Sequence, residues 1–269
     1  MIKLNRLPSP VVLRDNCTAW TKNLMALVDK YGGYNKIPAK EKEPALRFYR
    51  HEDIKQTLKA STHGKCAFCE GIPDETGYAE VEHFYPKSLY TEKTFEWENL
   101  LYACKACNNQ KLNHDTYHLP IVNPYDNDPD EYFTYNDIMI RPKKGDYQEI
   151  AERTIKVCGL SSPRLITARS DILVSFRIFE QELSTALSKF HDARTEKSKE
   201  DRARKISEAL DTIESMAKPD AKLSHFYRFL LNSSAVYHQA KDELNNYLCE
   251  VCKKHTTEIK NINNFCLQG

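Results

Sequence analysis

The apolar residues of this chain recur every three or four positions near both ends, a spacing typical of amphipathic helices. Trp20, Leu24 and Leu27 show it near the start, and Phe176 and Leu183 show it further along. Between these ends, apolar and polar residues alternate or form short apolar runs, which predicts strands. Helices are predicted over 18–31, 43–58, 163–190, 206–216 and 223–248, and strands over 81–84 and 100–103, with a helix from about 108.

These elements predict an α+β, mainly helical fold in three parts. Residues 1–60 form a basic N-terminal arm and helices, with Pro44 in the first turn of the second helix. Residues 61–160 form a central module with an irregular extension that holds a short strand pair around 132–140. Residues 161–269 form a C-terminal helical bundle, in which the charged run 195–205 is interpreted as a solvated helix end or connector.

Composition bounds the class of protein. The chain has 269 residues, of which 41% are hydrophobic and 29% charged, as in folded domains. It has no apolar run of about 18 residues and no apolar leader at its start, so we expect a cytoplasmic location. Nine cysteines is an odd number, and in a reducing compartment paired cysteines favour metal binding over disulfides.

Charge is spread unevenly. Residues 1–60 carry twelve Lys or Arg against six Asp or Glu, whereas residues 61–118 carry five Lys against nine Asp or Glu. An acidic central module attracts phosphate poorly. The basic N-terminal residues or a partner protein would have to supply that attraction.

Two Cys-x-x-Cys turns delimit the central module, one at Cys66 and Cys69, the other at Cys104 and Cys107. Each turn lets two thiolates reach one ion, and two turns complete the tetrahedron that zinc prefers. Four cysteines leave no open position, so this zinc would be structural. The alternative is two unrelated cysteine pairs.

The segment between the turns holds Glu82 directly before His83, then Asn99, and Asn108 directly after the last cysteine. This strand–loop–strand–helix order resembles the ββα-metal fold of HNH endonucleases over about fifty residues. The resemblance implies that His83 is the general base, that Asn99 braces the loop, and that Glu82 and Asn108 bind the catalytic metal.

Two departures from the family pattern affect metal preference. Glu82 stands where Asp is common, and Asn108 stands where His is frequent. Oxygen-only ligands suit Mg²⁺ or Mn²⁺ better than zinc. Lys111, one helical turn after Asn108, could contact a substrate phosphate, and a solvated surface lysine is the alternative. For His83 the alternative is a buried, hydrogen-bonded histidine.

A more specific resemblance is carried by Cys66-Ala-Phe-Cys-Glu, by Val81-Glu-His-Phe-Tyr-Pro-Lys-Ser and by Trp97-Glu-Asn-Leu-Leu-Tyr-Ala-Cys. These motifs are similar to those of the PtuB-like nucleases of bacterial Septu anti-phage defence systems, some of which are encoded beside retrons. The resemblance implies a DNA substrate and a PtuA-like ATPase partner, for which residues 161–269 are the candidate docking surface.

Two other classes of protein are alternatives to a nuclease. A zinc-stapled adaptor with an inactive site would bind nucleic acid or protein, but the presence of Glu82, His83 and Asn108 argues against it. A zinc deaminase needs an open zinc position and a His-x-Glu motif, and this sequence offers neither at the module. Cys249, Cys252 and His255 could form a partial metal site, although their spacing is that of one helix face.

Overall fold

A computed structural model describes the backbone of residues 1–73 and 78–266, and the side chains of the same ranges as far as residue 253. The described part is mainly helical with four short strands, which confirms the α+β class. The helices are α1 (Val11–Tyr31), α2 (Ala39–Leu46), α3 (Glu52–Ser61), α4 (Lys105–Lys111), α5 (Pro129–Tyr132), α6 (Gln148–Val157), α7 (Pro163–His191), α8 (Glu196–Ser215), α9 (Ser224–Ser233) and α10 (Ala235–Cys266). The strands are β1 (Ala79–His83), β2 (Leu100–Cys104), β3 (Phe133–Asn136) and β4 (Met139–Pro142).

The chain folds into two compact units, each drawn from separate stretches of sequence. The first comprises residues 1–170 and 218–226, and the second comprises residues 171–217 and 227–269. The three-part division expected from chain order differs from these units, because the segment 218–226 returns to the first one.

The first predicted helix is present and starts earlier than expected. Helix α1 begins at Val11, directly after the extended Pro10, and ends where Gly32 adopts a left-handed φ of 68°. Glycine takes this conformation at little cost, so Gly32 closes the helix as a C-terminal cap.

The prediction of a single helix over 43–58 was wrong. Helix α2 ends at Leu46, a 3₁₀ turn follows over Arg47–Arg50, and α3 begins at Glu52. Pro44 lies inside α2 rather than in its first turn. A proline has no N–H for the helical hydrogen bond, so it weakens α2 and favours the early end.

The predicted strand–loop–strand–helix order is present at the centre. Strands β1 and β2 pair antiparallel, with Ala79 opposite Cys104 and His83 opposite Leu100. Helix α4 then begins at Lys105, earlier than the expected start near residue 108.

The two faces of this hairpin have different neighbours. Ala79 and Val81 point into a buried core that includes Leu24 of α1 and Ile54 of α3. Because side chains alternate along a strand, Glu80 and Glu82 point the other way, toward α4. The N-terminal helices and the central module therefore share one core.

The regions after the module depart from the predictions in three places. The strand pair β3–β4 was predicted, but α6 (Gln148–Val157) was not. The charged run 195–205 forms the N-terminal half of α8, so of the two alternatives the helix end is present and the connector is not. The helix predicted over 223–248 is broken at Ser234 into α9 and α10.

The second unit is built on the predicted apolar stripes. Phe176 and Leu183 of α7 are buried, as are Ile206 and Leu210 of α8, and Tyr237 of α10. Within the described part of the chain, no helix combines the length and the apolar character that crossing a membrane requires.

Arg6 fixes the N-terminal arm against the hairpin. Its guanidinium donates to the carbonyl oxygens of Trp97, Glu98 and Leu100 at 2.7–3.0 Å. It also stacks over the Tyr125 ring, 3.8 Å from the ring centroid. One side chain thus joins the arm, the entry to β2 and the loop after the module.

We expect Arg6→Ala to lower the free energy of unfolding by about 2–4 kcal/mol, because charge-assisted hydrogen bonds and a cation–π contact are lost together. A thermal melt followed by circular dichroism measures the change. Arg14→Ala is the matched control, since Arg14 is exposed and its guanidinium forms an ion pair with its neighbour Asp15. Equal melting midpoints for the two variants would contradict the role given to Arg6.

Candidate active site and metal centre

The four cysteines of the two turns meet in one buried cluster. Their sulfur atoms all lie within 4.8 Å of one another, and the sulfurs of Cys69 and Cys104 are 3.8 Å apart. A tetrahedral zinc with bonds of about 2.3 Å has sulfur–sulfur edges of about 3.8 Å. The cluster therefore fits a structural zinc ion, held by Cys66, Cys69, Cys104 and Cys107.

Local backbone structure brings the cysteines together. The first turn closes when Cys66 N donates to Gly71 O at 2.8 Å and Glu70 N donates to Cys66 O at 2.9 Å. Cys104 ends β2, and Cys107 lies in the first turn of α4. Ala67 N donates to Tyr102 O at 2.9 Å, which fastens the first turn to β2.

Arg164 lies beside the cluster and was missed by the sequence analysis. Its Nη2 atom is 3.7 Å from the Cys69 sulfur and 3.9 Å from the Cys104 sulfur. This positive charge offsets part of the negative charge that four thiolates and one zinc would carry. A Cβ at Gly71 would lie 3.3 Å from Arg164 Nη1 and 3.4 Å from the Cys69 sulfur, so a glycine suits this close approach.

Glu70, also missed, is a buried carboxylate at the end of the first turn. It adopts a left-handed φ of 60° and accepts hydrogen bonds from Lys65 Nζ at 3.1 Å and Ser224 Oγ at 2.8 Å. The amino group of Met1 is 2.6 Å from its other oxygen. Burial raises the pKa of Glu70, but the Met1 and Lys65 charges hold it well below its usual range. The signal in the sequence was that charged residues, Lys65 and Glu70, directly flank the Cys66–Cys69 turn.

A cleft of about 510 Å³ lies beside β1 and α4. Carboxylates, amides, a histidine and lysines share its wall, which suits a polar, charged ligand. The polar residues around it include Arg50, Lys55, Glu80, Glu82, His83, Lys87, Asn108, Asn109 and Asn113.

His83 is buried and hydrogen-bonded, as the alternative interpretation expected, and it also lines the wall of this cleft, so its catalytic role stays a prediction. Its Nε2 atom is 2.9 Å from the Thr94 carbonyl oxygen, which can only accept, so Nε2 carries the proton. The lone pair then lies on Nδ1. Burial, followed by the positive charge of Lys87, lowers the pKa of His83 to about 3. His83 is therefore a neutral imidazole at neutral pH, with one nitrogen able to accept a proton.

Glu82 and Lys111 form a buried ion pair at the same wall. Lys111 Nζ donates to Glu82 Oε1 at 2.7 Å and to the His83 carbonyl at 2.8 Å. Burial raises the pKa of Glu82, and the Lys111 charge opposes that rise. Lys111 is thus buried beside Glu82. The alternative interpretation, a solvated surface lysine, was wrong. The predicted phosphate contact stays a prediction.

Asn108 is held by Glu80, a residue that the sequence analysis did not select. Asn108 Nδ2 donates to Glu80 Oε2 at 2.6 Å, which fixes the amide so that Oδ1 points away from that carboxylate. The signal in the sequence was periodicity, because Glu80 precedes Glu82 by two positions and shares its strand face.

Asn99 holds together the loop between β1 and β2. Its Oδ1 accepts from Tyr85 N at 2.7 Å, and its Nδ2 donates to the carbonyls of Tyr85 and Lys93 at 3.1 and 2.9 Å. Its own carbonyl accepts from Phe84 N at 2.8 Å. The side chain therefore fixes the loop that carries Thr94, the partner of His83.

Basic residues from outside the acidic module lie around the cleft. Arg50 and Lys55 come from the N-terminal segment, and Lys87 follows β1. Tyr49 packs edge-on against the His83 ring, with 4.6 Å between the centroids. The N-terminal segment therefore contributes two basic side chains to the wall of the cleft.

The remaining cysteine motif belongs to the second unit. Cys249 and Cys252 are exposed on α10, and the side chain of His255 lies outside the described residues. Among the described residues, the four-cysteine cluster is the one group of three or more cysteine, histidine or carboxylate side chains that lie close enough together to share a metal ion.

Comparison with known proteins finds two similar chains, both named Septu protein PtuB. The relative from Bacillus thuringiensis is 37% identical over 91 residues, which is 34% of this chain and 35% of the relative. The relative from Bacillus mycoides is 27% identical over 224 residues, which is 70% of this chain and 72% of the relative. No family model matches the chain. The two similarities support a Septu PtuB-like protein.

We expect Cys66→Ser to lose zinc and to unfold the module, because one ligand of a saturated site is removed. His83→Ala should keep both the zinc and the fold. Metal analysis of the purified proteins, with circular dichroism, tests both expectations. Cys249→Ser is the matched control, since that thiol is exposed on a helix. Loss of zinc in His83→Ala would contradict the separation of the two sites.

We expect His83 to make the folded protein sensitive to acid. An unfolded histidine titrates near a pKa of about 6.5, whereas folded His83 has a pKa of about 3. Between these values the unfolded chain binds more protons, so stability falls as the pH is lowered.

Urea unfolding without added Mg²⁺ or Mn²⁺ measures this effect. From about pH 7.5 to about pH 5, the wild type should lose about 2 kcal/mol more stability than His83→Gln. His118→Gln is the control, because it replaces an exposed histidine instead of the buried one. The same acid slope in His83→Gln and wild type would rule out His83 as its source.

Proposed function

We propose that this chain is a metal-dependent endonuclease of the HNH class that hydrolyses phosphodiester bonds of DNA. The observation that carries the proposal is the state of His83. Its ring is neutral, its Nε2–H is committed to Thr94, and the residue lines a polar cleft with Glu82 and Asn108. The ββα order and the likeness to PtuB proteins support the same assignment.

The residues around the cleft can divide the chemistry of hydrolysis. Nδ1 of His83 accepts a proton from water, and the resulting hydroxide attacks the phosphorus atom. The ester bond from phosphorus to the leaving oxygen then breaks, and that oxygen takes up a proton from solvent. Asn99 keeps the loop and the Thr94 carbonyl in place, which maintains the tautomer of His83. Arg50, Lys55 and Lys87 attract the phosphate backbone into the cleft.

A divalent cation fits the donors that remain beside His83. Lys111 engages Oε1 of Glu82 and Glu80 engages the amide nitrogen of Asn108, so the second oxygen of Glu82 and Oδ1 of Asn108 are the donors that the cleft offers. Two oxygen donors suit Mg²⁺ or Mn²⁺. When bound, such an ion supplies positive charge that stabilises the phosphorane and the leaving oxygen.

We further infer a role in anti-phage defence with an ATPase partner. Both relatives carry the name Septu protein PtuB, and the motif wording resembles nucleases of that defence system. The second unit offers a docking surface, because Val174 and Ile178 are 61% and 54% exposed and lie one turn apart on α7. Apolar side chains in such a position suit a helix-packing partner.

We expect the purified chain to nick or linearise supercoiled plasmid in the presence of Mg²⁺ or Mn²⁺. His83→Ala should lower the rate by about 10²–10⁴-fold, because it removes the proton acceptor. Gel electrophoresis of timed samples measures the rate, and the zinc content shows that the variant is folded. His238→Ala is the control, as an exposed histidine of the second unit that does not line the cleft.

Three other outcomes would each contradict a part of this proposal. Equal cutting by wild type and His83→Ala would rule out His83 as the base. No cutting of plasmid, even with the ATPase added, together with cutting of RNA would change the substrate. No cutting of either would favour the inactive zinc-stapled adaptor.

We expect Ile178→Asp to weaken capture of the co-expressed ATPase, because a charge replaces an exposed apolar contact. The capture experiment uses the full chain, because a chain ending at residue 160 would also lose the segment 218–226 of the first unit. Lys218→Asp is the control, as a charge change on the first unit. Undiminished capture by Ile178→Asp would exclude this face of α7.

A further inference from the structure

Three tyrosines form a cluster on the loop segments that flank the cleft. The ring centroids of Tyr85 and Tyr90 are 5.7 Å apart, and Tyr117 lies 6.5 and 6.0 Å from them. Tyr117 is 63% exposed, whereas the other two are half-buried. The outermost ring therefore offers an aromatic surface to solvent, supported from below by two others.

The cluster is held rigidly. Asp115 Oδ1 accepts from the Tyr90 hydroxyl at 2.7 Å and from the Tyr117 backbone N–H at 3.1 Å. The backbone of Tyr85 is bound on both sides by Asn99. A pre-ordered aromatic surface loses little conformational entropy when a ligand stacks on it.

The cluster adjoins the proposed catalytic cleft. Tyr85 lies between His83 and Pro86 in sequence, and both of these line the cleft. Tyr117 lies four residues after Asn113, the last residue along the chain that lines the cleft. Thr116 Oγ1 donates to the Phe84 carbonyl at 2.7 Å, so the two segments are fastened together.

Basic groups stand close to the rings. Lys93 Nζ lies 5.6 Å from the centroid of Tyr85, and Lys87 lines the cleft itself. Aromatic faces beside lysines are the combination that binds single-stranded nucleic acid, because the rings stack on bases while the lysines attract phosphates. A paired duplex hides its base faces and cannot use such rings in this way.

We propose that Tyr85, Tyr90 and Tyr117 form a stacking platform for unpaired bases of a DNA strand whose backbone enters the cleft. The choice of DNA rests on the proposed function. The platform makes single-stranded DNA, or a locally unpaired stretch of a duplex, the preferred ligand of the nuclease site.

Binding is measured in the His83→Ala background without added Mg²⁺ or Mn²⁺, so that no strand is cut. Fluorescence anisotropy follows a labelled single-stranded DNA, its duplex and an RNA of the same sequence. We expect the single-stranded DNA to bind most tightly. Adding Tyr117→Ala should weaken its binding by about 5- to 150-fold, the effect of losing one base-stacking contact.

Two matched variants isolate stacking from other effects. Tyr117→Phe keeps the ring and should retain binding, which excludes a role for the hydroxyl. Tyr147→Ala removes another exposed tyrosine, one that stacks on Tyr132 at 4.7 Å, and should also retain binding. Undiminished binding in Tyr117→Ala, equal losses in Tyr117→Phe or Tyr147→Ala, or no single-strand binding at all would overturn the platform.

The design separates this proposal from the function on which it rests. A chain that binds single-stranded DNA through Tyr117 but cuts no plasmid keeps the platform and loses the nuclease. A chain that cuts plasmid but binds single strands independently of Tyr117 keeps the nuclease and loses the platform. Preferred binding of the RNA would overturn the assignment to DNA.

Discussion

The four-cysteine cluster is the constraint on which the central module depends. It joins the turn after α3 to the junction between β2 and α4. The start of the module is thereby tied to the end of the hairpin. In isolated zinc fingers, metal binding supplies about 10–16 kcal/mol, enough to order a small module. Because Cys107 immediately precedes Asn108, the same cluster sets where α4 presents its amide to β1.

Three polar groups of the cleft are each held by a neighbouring residue. Lys111 neutralises Glu82, Glu80 orients Asn108, and the Thr94 carbonyl takes the proton of His83. Removing one partner of a buried pair leaves an uncompensated charge, so these contacts organise the site and also hold the hairpin to α4.

Much of the module could be predicted from the sequence, because its signals are local. The cysteine spacing indicated the metal cluster, and alternation indicated the strands on both sides of the loop. Glu80 and Arg164 could not be chosen in the same way. Glu80 gains its role only when Asn108 arrives on α4, and Arg164 reaches the cysteines from the start of α7, far along the chain.

The errors in the predicted fold have a similar origin. An apolar stripe shows which residues face a core but not where a helix is interrupted. The stripes over 43–58 and 223–248 therefore each predict one continuous helix. The break after Leu46 places the 3₁₀ turn that carries Tyr49 and Arg50 against the cleft. A continuous helix would have directed these residues along a different path, so the interruption that periodicity missed is also what brings the basic N-terminal segment to His83.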